Sequence, residues 1–359
     1  MNYYPDQRYA SPLSLIRREI ALPEEAVGSV KIGEGKRVDV RDVVASGMIP
    51  ARHLIIDAVA FFGLRKPAEL IPLMQVETGQ VVDEQGLLAG KNPKRGKRLF
   101  SPVRAVVMRI DQGRIILQQM PQVIDLEAGV RGRISGIIPG RGVIIEAVGA
   151  QIQGIWGNNK RNIATLRIEP DSGLESFMEN EFDTRYMGAV ILTTRPITAM
   201  TLDLMAERGF IGIIGPSAEA NLHEAMLHAK GPILLTEGFG SAKMSSAVFK
   251  LLGGYDGQQV TIDAHLPTRW DSRRPEIIVN VPTKGDERPA RPNAMLALRP
   301  GMTVRVTRDP YAGQTGKVAD LPKSPSLLPN GLRVLCARVE LIAGEVAFIP
   351  LANLEVLGR

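Results

Sequence analysis

Leu298-Arg299-Pro300-Gly301-Met302-Thr303-Val304-Arg305-Val306-Thr307-Arg308-Asp309-Pro310-Tyr311-Ala312-Gly313-Gln314-Thr315-Gly316-Lys317-Val318 is the stretch on which the fold turns. Val304, Val306 and Val318 alternate with polar residues, the period of a strand with one buried face. Pro310 fixes a turn, and Gly313 and Gly316 supply permissive dihedrals where the chain reverses. Downstream, Arg333 to Leu341 and Glu345 to Pro350 read as further strands. Leu351 to Leu357 reads as a short helical turn and a closing strand. A proline- and serine-rich insertion, Leu321 to Gly331, separates the two halves. The expectation is a small β-barrel over residues 295–359.

That stretch resembles the KOW motif of ribosomal proteins and of transcription elongation factors, an SH3-like barrel. The frame G-x-x-V-x-V-x-x-G-P-[Y/F]-x-G-x-x-G-x-V is matched throughout except that Asp309 stands for the glycine before Pro310. The resemblance implies a module that contacts RNA or protein through its loops. Arg305, Arg308 and Lys317 are the candidate phosphate contacts and Tyr311 the candidate stacking residue.

Working toward the N-terminus, residues 282–294 are rich in proline and charge, as in a linker. Before it, residues 185–281 alternate short apolar runs with helical patterns. Strands are expected at Gly188 to Thr194, Phe210 to Gly215 and Ile233 to Thr236. Helices are expected at Pro196 to Arg208, Ala218 to Ala229 and Ser245 to Leu252, with two more strands at Gln259 to Ala264 and Pro275 to Val281. Strand–helix alternation predicts a small parallel α/β sheet. Ligands of such sheets bind beyond the carboxyl ends of the strands. The loop there holds Thr236, Gly238, Gly240, Lys243 and Ser245, a candidate anion cradle of backbone donors, hydroxyls and one cation. His223 and His228 lie five apart on a helix, where metal ligands on one face want three or four. No metal site and no cofactor are expected.

Residues 169–184 are acidic and irregular and read as a boundary. Residues 23–168 read as a β-rich domain, with residues 1–22 as an N-terminal tail. Within that domain, Gly35-Lys36-Arg37-Val38-Asp39 through Ala45 repeats without gaps as Gly79-Gln80-Val81-Val82-Asp83 through Ala89. Each copy reads as turn, short strand, turn, strand. With Ser101-Pro102-Val103-Arg104-Ala105-Val106, the repeat resembles the barrel-sandwich hybrid domains that carry biotin or lipoate. Ala105 stands where that family has glycine, and the expected tip of the modified lysine is instead the basic loop Lys91-Asn92-Pro93-Lys94-Arg95-Gly96-Lys97-Arg98. A covalently modified lysine is therefore not expected. Lys91, Lys94, Arg95, Lys97 and Arg98 form a second candidate phosphate-binding region.

Composition narrows the class. The chain of 359 residues is long enough for two or three cores, and 44% of it is hydrophobic. Its formal charge of +6 permits nucleic-acid contact without demanding it. One cysteine, Cys336, cannot make an internal disulfide. The N-terminus lacks the basic-then-apolar pattern of a signal peptide, and no run reaches the roughly 18 apolar residues of a membrane helix. A cytoplasmic protein with no membrane partner is expected.

The sequence thus predicts a multi-domain α+β protein: a β-rich barrel-sandwich-like domain, a small α/β domain and a KOW barrel. Its expected role is non-enzymatic binding of RNA, a ribonucleoprotein or a transcription complex. Two other readings stay open: an enzyme or sensor that binds a small anion or phosphometabolite in the α/β domain, and a scaffold that binds only other proteins.

Overall fold

The computed structural model describes residues 3–92, 95–179, 183–266, 268, 273–281, 289, 296–342 and 344–357. The chain is β-rich, with several sheets and a few short helices. Among the described residues, no helix is long and apolar enough to cross a membrane. The expected linker at 282–294 lies outside the described residues save for Pro289.

The C-terminal stretch builds a six-stranded sheet in the order Asp6–Arg8, Leu354–Leu357, Thr303–Val306, Thr315–Asp320, Cys336–Leu341, Val346–Pro350. Alternation places Val304, Val306, Val318, Val339, Leu341, Ile349 and Val356 in one apolar cluster. Each such side chain contributes about 1.5–3 kcal/mol when fully buried. Gly316 is needed where strands cross closely, since a Cβ there would stand 2.4 Å from the Glu340 carbonyl oxygen. Cys336 is a buried strand residue whose thiol burial pushes up, so it stays protonated and inert.

The first strand of that sheet corrects the expected tail. Asp6–Arg8 runs parallel to Leu354–Leu357, and the twelve-residue strand Ala10–Ala21 runs antiparallel to Gly142–Gln153. Ser14, Ile16, Arg18, Ile20 and Leu22 all point inward. The period of two is present, but a serine and an arginine occupy inward positions and mask it.

An eleven-stranded sheet dominates the described residues. Its parallel part is Lys160–Ile168, Ala189–Leu192, Gly212–Ala218 and Ile233–Phe239. Gln259–Ala264 and Glu276–Asn280 extend it antiparallel, and Gly142–Gln153 and Gly132–Ile138 follow. Both faces of the parallel strands are covered. Val190, Leu192, Ile214 and Leu234 pack with the helix Ser246–Gly253 on one side. Ala189, Ile191, Ile213 and Ile233 pack with the helices Ala199–Arg208 and His223–His228 on the other. Continuous apolar runs follow from that double cover. Thr198 and Ser245 cap two of the helices, and Gly209 ends one with a left-handed φ of 72°.

The boundary expected at 169–184 falls inside this assembly. Lys160–Ile168, before that segment, pairs with Ala189–Leu192 and Gln259–Ala264, after it, and Leu174 and Phe177 belong to the same core as Ile191. Asp171 and Glu175 are exposed, and their charge masks those two anchors in the sequence, while Glu169 is itself buried.

The expected β domain at 23–168 is divided. Val43–Ile49 pairs with Val27–Val30 and with Gln122–Glu127. Residues 53–119 leave from between those paired strands and form their own core of Leu70, Val82, Leu88, Val107, Ile115 and Leu117. The two repeat copies keep one local shape in separate cores. Val38 and Val44 of the first copy are buried in one cluster, and Val82 and Leu88 of the second in another.

Candidate binding surfaces

The second repeat copy ends in a hairpin, Leu87–Gly90 against Arg98–Phe100. At its tip Lys91, Arg95 and Lys97 are exposed, and Lys94 lies outside the described residues. The Lys97 ammonium stands 5.0 Å from the centroid of the exposed Phe61 ring. Phe61 is held edge-on against Phe62 on the helix Ala58–Phe62, which Asp57 caps through the Ala60 N–H. The Arg98 guanidinium lies 5.1 Å above Phe100 and is half-buried. No ion pair to Lys91, Arg95 or Lys97 forms among the described residues. Farther along the same acid-free run, Arg104 and Arg109 are paired with Asp83 and Asp111 at 3.1 and 2.7 Å. Within this run the free positive charge therefore lies at the tip.

The terminal sheet carries a groove of about 690 Å³, largely apolar, between Val346–Pro350, the turn Ser326–Asn330 and the segment Arg308–Tyr311. Two of the predicted contacts, Arg308 and Tyr311, line it. The Tyr311 hydroxyl donates to Glu345 Oε1 at 2.6 Å, which holds the ring as a wall and pushes its pKa up. Lys317 is exposed on Thr315–Asp320, directly across the ladder from Glu340. Arg305 does not reach the surface at all. It is buried against Glu355 and Glu237, so its expected role in phosphate contact is corrected.

The anion cradle expected at the strand ends is corrected in the same way, because a carboxylate of the chain itself fills it. Glu237 follows Thr236 at the end of Ile233–Phe239, and its Oε1 accepts the Ser245 N–H at 3.3 Å. Its Oε2 stands 3.6 Å from Arg8 and in direct contact with the Arg305 guanidinium. Burial pushes the Glu237 carboxyl up to about 7, against the pull of Arg8. Thr236 is buried and its carbonyl accepts from Arg8. The Ser245 hydroxyl caps Val248 N–H. Gly238 and Gly240 take left-handed φ values of 91° and 123°, which lets the chain turn back over the site. Of the five predicted residues Gly240 and Lys243 are exposed, and Lys243 makes no ion pair among the described residues.

The neighbouring strand ends are equally committed. Thr193 and Thr194 donate to Glu169, and Ser217 donates to the Ala242 carbonyl. His223 packs with Trp156 and Phe239, ring centroids 5.3–5.7 Å apart, and His228 Nδ1 lies 2.8 Å from the Glu224 carbonyl. Among the described residues, no cluster of three His, Cys, Asp or Glu side chains is placed to hold a metal ion.

Sequence reasoning missed the groove and the buried charge cluster. Both are built from segments far apart in the chain, and only the alternation of Val346, Phe348 and Pro350 with buried Ala347 and Ile349 hinted at an exposed apolar strip. No protein-family model matches the sequence, and no curated protein matches it.

Proposed function

We propose that the protein is a non-enzymatic binding protein that grips RNA, alone or in a ribonucleoprotein, by phosphate contacts from the hairpin tip at residues 91–98. The observation that carries this reading is the concentration of unpaired cations there, Lys91, Arg95 and Lys97, beside an exposed aromatic ring. Phosphate contacts supply most of the affinity of such modules and make it depend on salt. The terminal sheet, read as a KOW-type barrel, adds Arg308 and Lys317 as outlying cations. The anion-binding enzyme reading loses support, because the chain's own Glu237 accepts the Ser245 N–H and places a carboxylate within the loop that was to hold an anion.

The test is RNA binding by the full chain at two salt concentrations, with Lys91, Arg95 and Lys97 changed together to serine. Wild-type affinity should fall steeply with salt. The triple variant should bind more weakly, with its log–log salt slope shallower by roughly 0.7 for each phosphate no longer neutralised. Absence of binding at low salt, or an unchanged slope in the variant, overturns the proposal.

A further inference from the structure

Among the described residues, the strand Val346–Pro350 is the last of its sheet and pairs only with Cys336–Leu341. The register fixes which backbone groups it leaves unused. Leu341 N–H donates to the Glu345 carbonyl at 2.8 Å, and Leu351 N–H to the Leu335 carbonyl at 3.0 Å. Those bonds set the alternation of the antiparallel ladder. Ala347 and Ile349 therefore bond to the inner strand, and Val346 and Phe348 aim their N–H and C=O groups at the open edge. Open edges are commonly guarded by charges or proline. This one has no charged side chain, and its single proline is the last residue. The Val346 and Phe348 side chains are 49% and 51% exposed, and Leu327 across the groove is 66% exposed.

The edge is also one wall of a trough. The turn Ser326–Asn330 and the Pro310–Tyr311 segment stand opposite it around the 690 Å³ groove. That volume lies within the roughly 300–1,000 Å³ of ordinary ligand sites. A second copy of the chain would bring an edge recessed in its own trough, and two concave faces do not interlock. A single extended segment does fit. Its backbone meets Val346 and Phe348, and every second side chain drops between Phe348, Leu327 and Tyr311. Arg308, Asp309, Asn330 and Asn353 make one end of the lining polar.

We infer that this groove receives an extended peptide segment of a partner protein, with apolar residues at alternate positions, added as a further strand on Val346–Pro350. Strand addition of this kind takes affinity from main-chain hydrogen bonds and selectivity from the pockets beside them. The inference does not rest on the RNA reading, since it uses none of the residues of the hairpin tip and shares only Arg308, at the polar end of the groove, with it.

The probe is a displayed library of random octapeptides selected on the full-length protein. Enriched peptides should carry apolar residues at every second position and lack internal proline. A Val346→Pro variant removes one outward N–H while leaving the inner ladder intact, and proline is tolerated at such edge positions. It should keep the wild-type circular dichroism and melting behaviour and bind the selected peptides at least tenfold more weakly. Phe348→Thr keeps every backbone group and should weaken binding by loss of the apolar wall, a second check should the proline variant fold poorly. Peptide binding should also slow amide exchange in the segment 345–350. Failure to enrich any peptide, enrichment of proline-rich sequences, or selected peptides that bind both variants unchanged would each overturn the inference. So would a concentration-dependent dimer in sedimentation that Val346→Pro abolishes, since the occupant would then be a second copy.

Discussion

Two clusters of buried charge lie among the described residues, and they are built on opposite plans. In the first, Arg8, Arg305 and Glu355 belong to three adjacent strands of the terminal sheet, and Glu237 enters from the end of a strand in the large sheet. In the second, Arg18, Asp263 and Glu276 stand on strands of the large sheet itself, with Gln151 donating to Glu276 at 2.7 Å. All four side chains of the first are at most 5% exposed. The second includes Arg273, whose side chain is 44% exposed. The first cluster joins two sheets that no ladder joins among the described residues. The second sits among strands already tied by backbone bonds. Charge at the first therefore governs whether the terminal sheet stays docked, and charge at the second only adjusts a sheet that exists without it.

The comparison breaks most visibly at Glu237. Glu237→Ala leaves two buried guanidinium groups sharing Glu355, with no route to water. Removing one partner from a buried pair costs about 3–5 kcal/mol. The loss at pH 8 should appear in urea unfolding, and protease should cut the terminal sheet free before the large sheet unfolds. A single cooperative transition with unchanged midpoint would show that packing, not charge, holds the two together.

A pH series sharpens the same point. Burial raises the Glu237 carboxyl from its ordinary 4.5 to about 7, so the folded state holds this proton more tightly than the unfolded chain. The contribution of this group to stability is therefore greatest below about 4.5, falls as pH rises to about 7, and is flat above. Glu237→Gln removes that slope. The difference in melting temperature between wild type and Glu237→Gln should thus change between pH 5 and pH 8, with wild type losing ground as pH rises. Parallel curves would place the titration elsewhere.

How much of this was legible in the sequence divides along the same line. Local periods were readable: Gln259–Ala264 and the helix after Ser245 stand where the apolar runs put them. The repeat at 35–45 and 79–89 was readable because each copy closes its own turn, with left-handed glycines at 35 and 79. Partners far apart were not. Arg8 finds Thr236 and Glu355 across 228 and 347 residues, and no local pattern encodes that. Arg305 looks like a solvent-facing strand residue because its neighbours Val304 and Val306 face the core. Only the docked carboxylates make its outward face an interior. Arg18 hid the strand Ala10–Ala21 for the same reason.

Asp263→Ala should cost less than Glu237→Ala, about 2 kcal/mol, the scale of a lost hydrogen bond to a charged group. Arg18 keeps Glu276 at 3.7 Å, and Arg273 can turn toward water. Equal losses for the two alanine variants would mean that a backbone ladder does not cushion a buried charge, and the contrast between the clusters would collapse.

The smallest effect belongs to Arg273, and its smallness is what gives the comparison its meaning. Arg273 contacts the same carboxylate as Arg18, yet it reaches that contact from the solvent side. A charge that keeps much of its hydration gains little from pairing, about 0–1 kcal/mol for exposed pairs. Arg273→Ala leaves Asp263 with Arg18, so neither buried group loses its last partner. The urea midpoint should therefore move little, and what movement there is should shrink further at high salt. Arg18→Ala, at the same carboxylate, removes the one buried cation of the cluster, leaving Asp263 only the half-exposed Arg273 and Glu276 only the neutral Gln151 amide, and should cost several times more. If the two arginine variants proved equally harmful, burial would not be what sets the worth of a charge here, and the ranking from Glu237 downward would lose its physical basis.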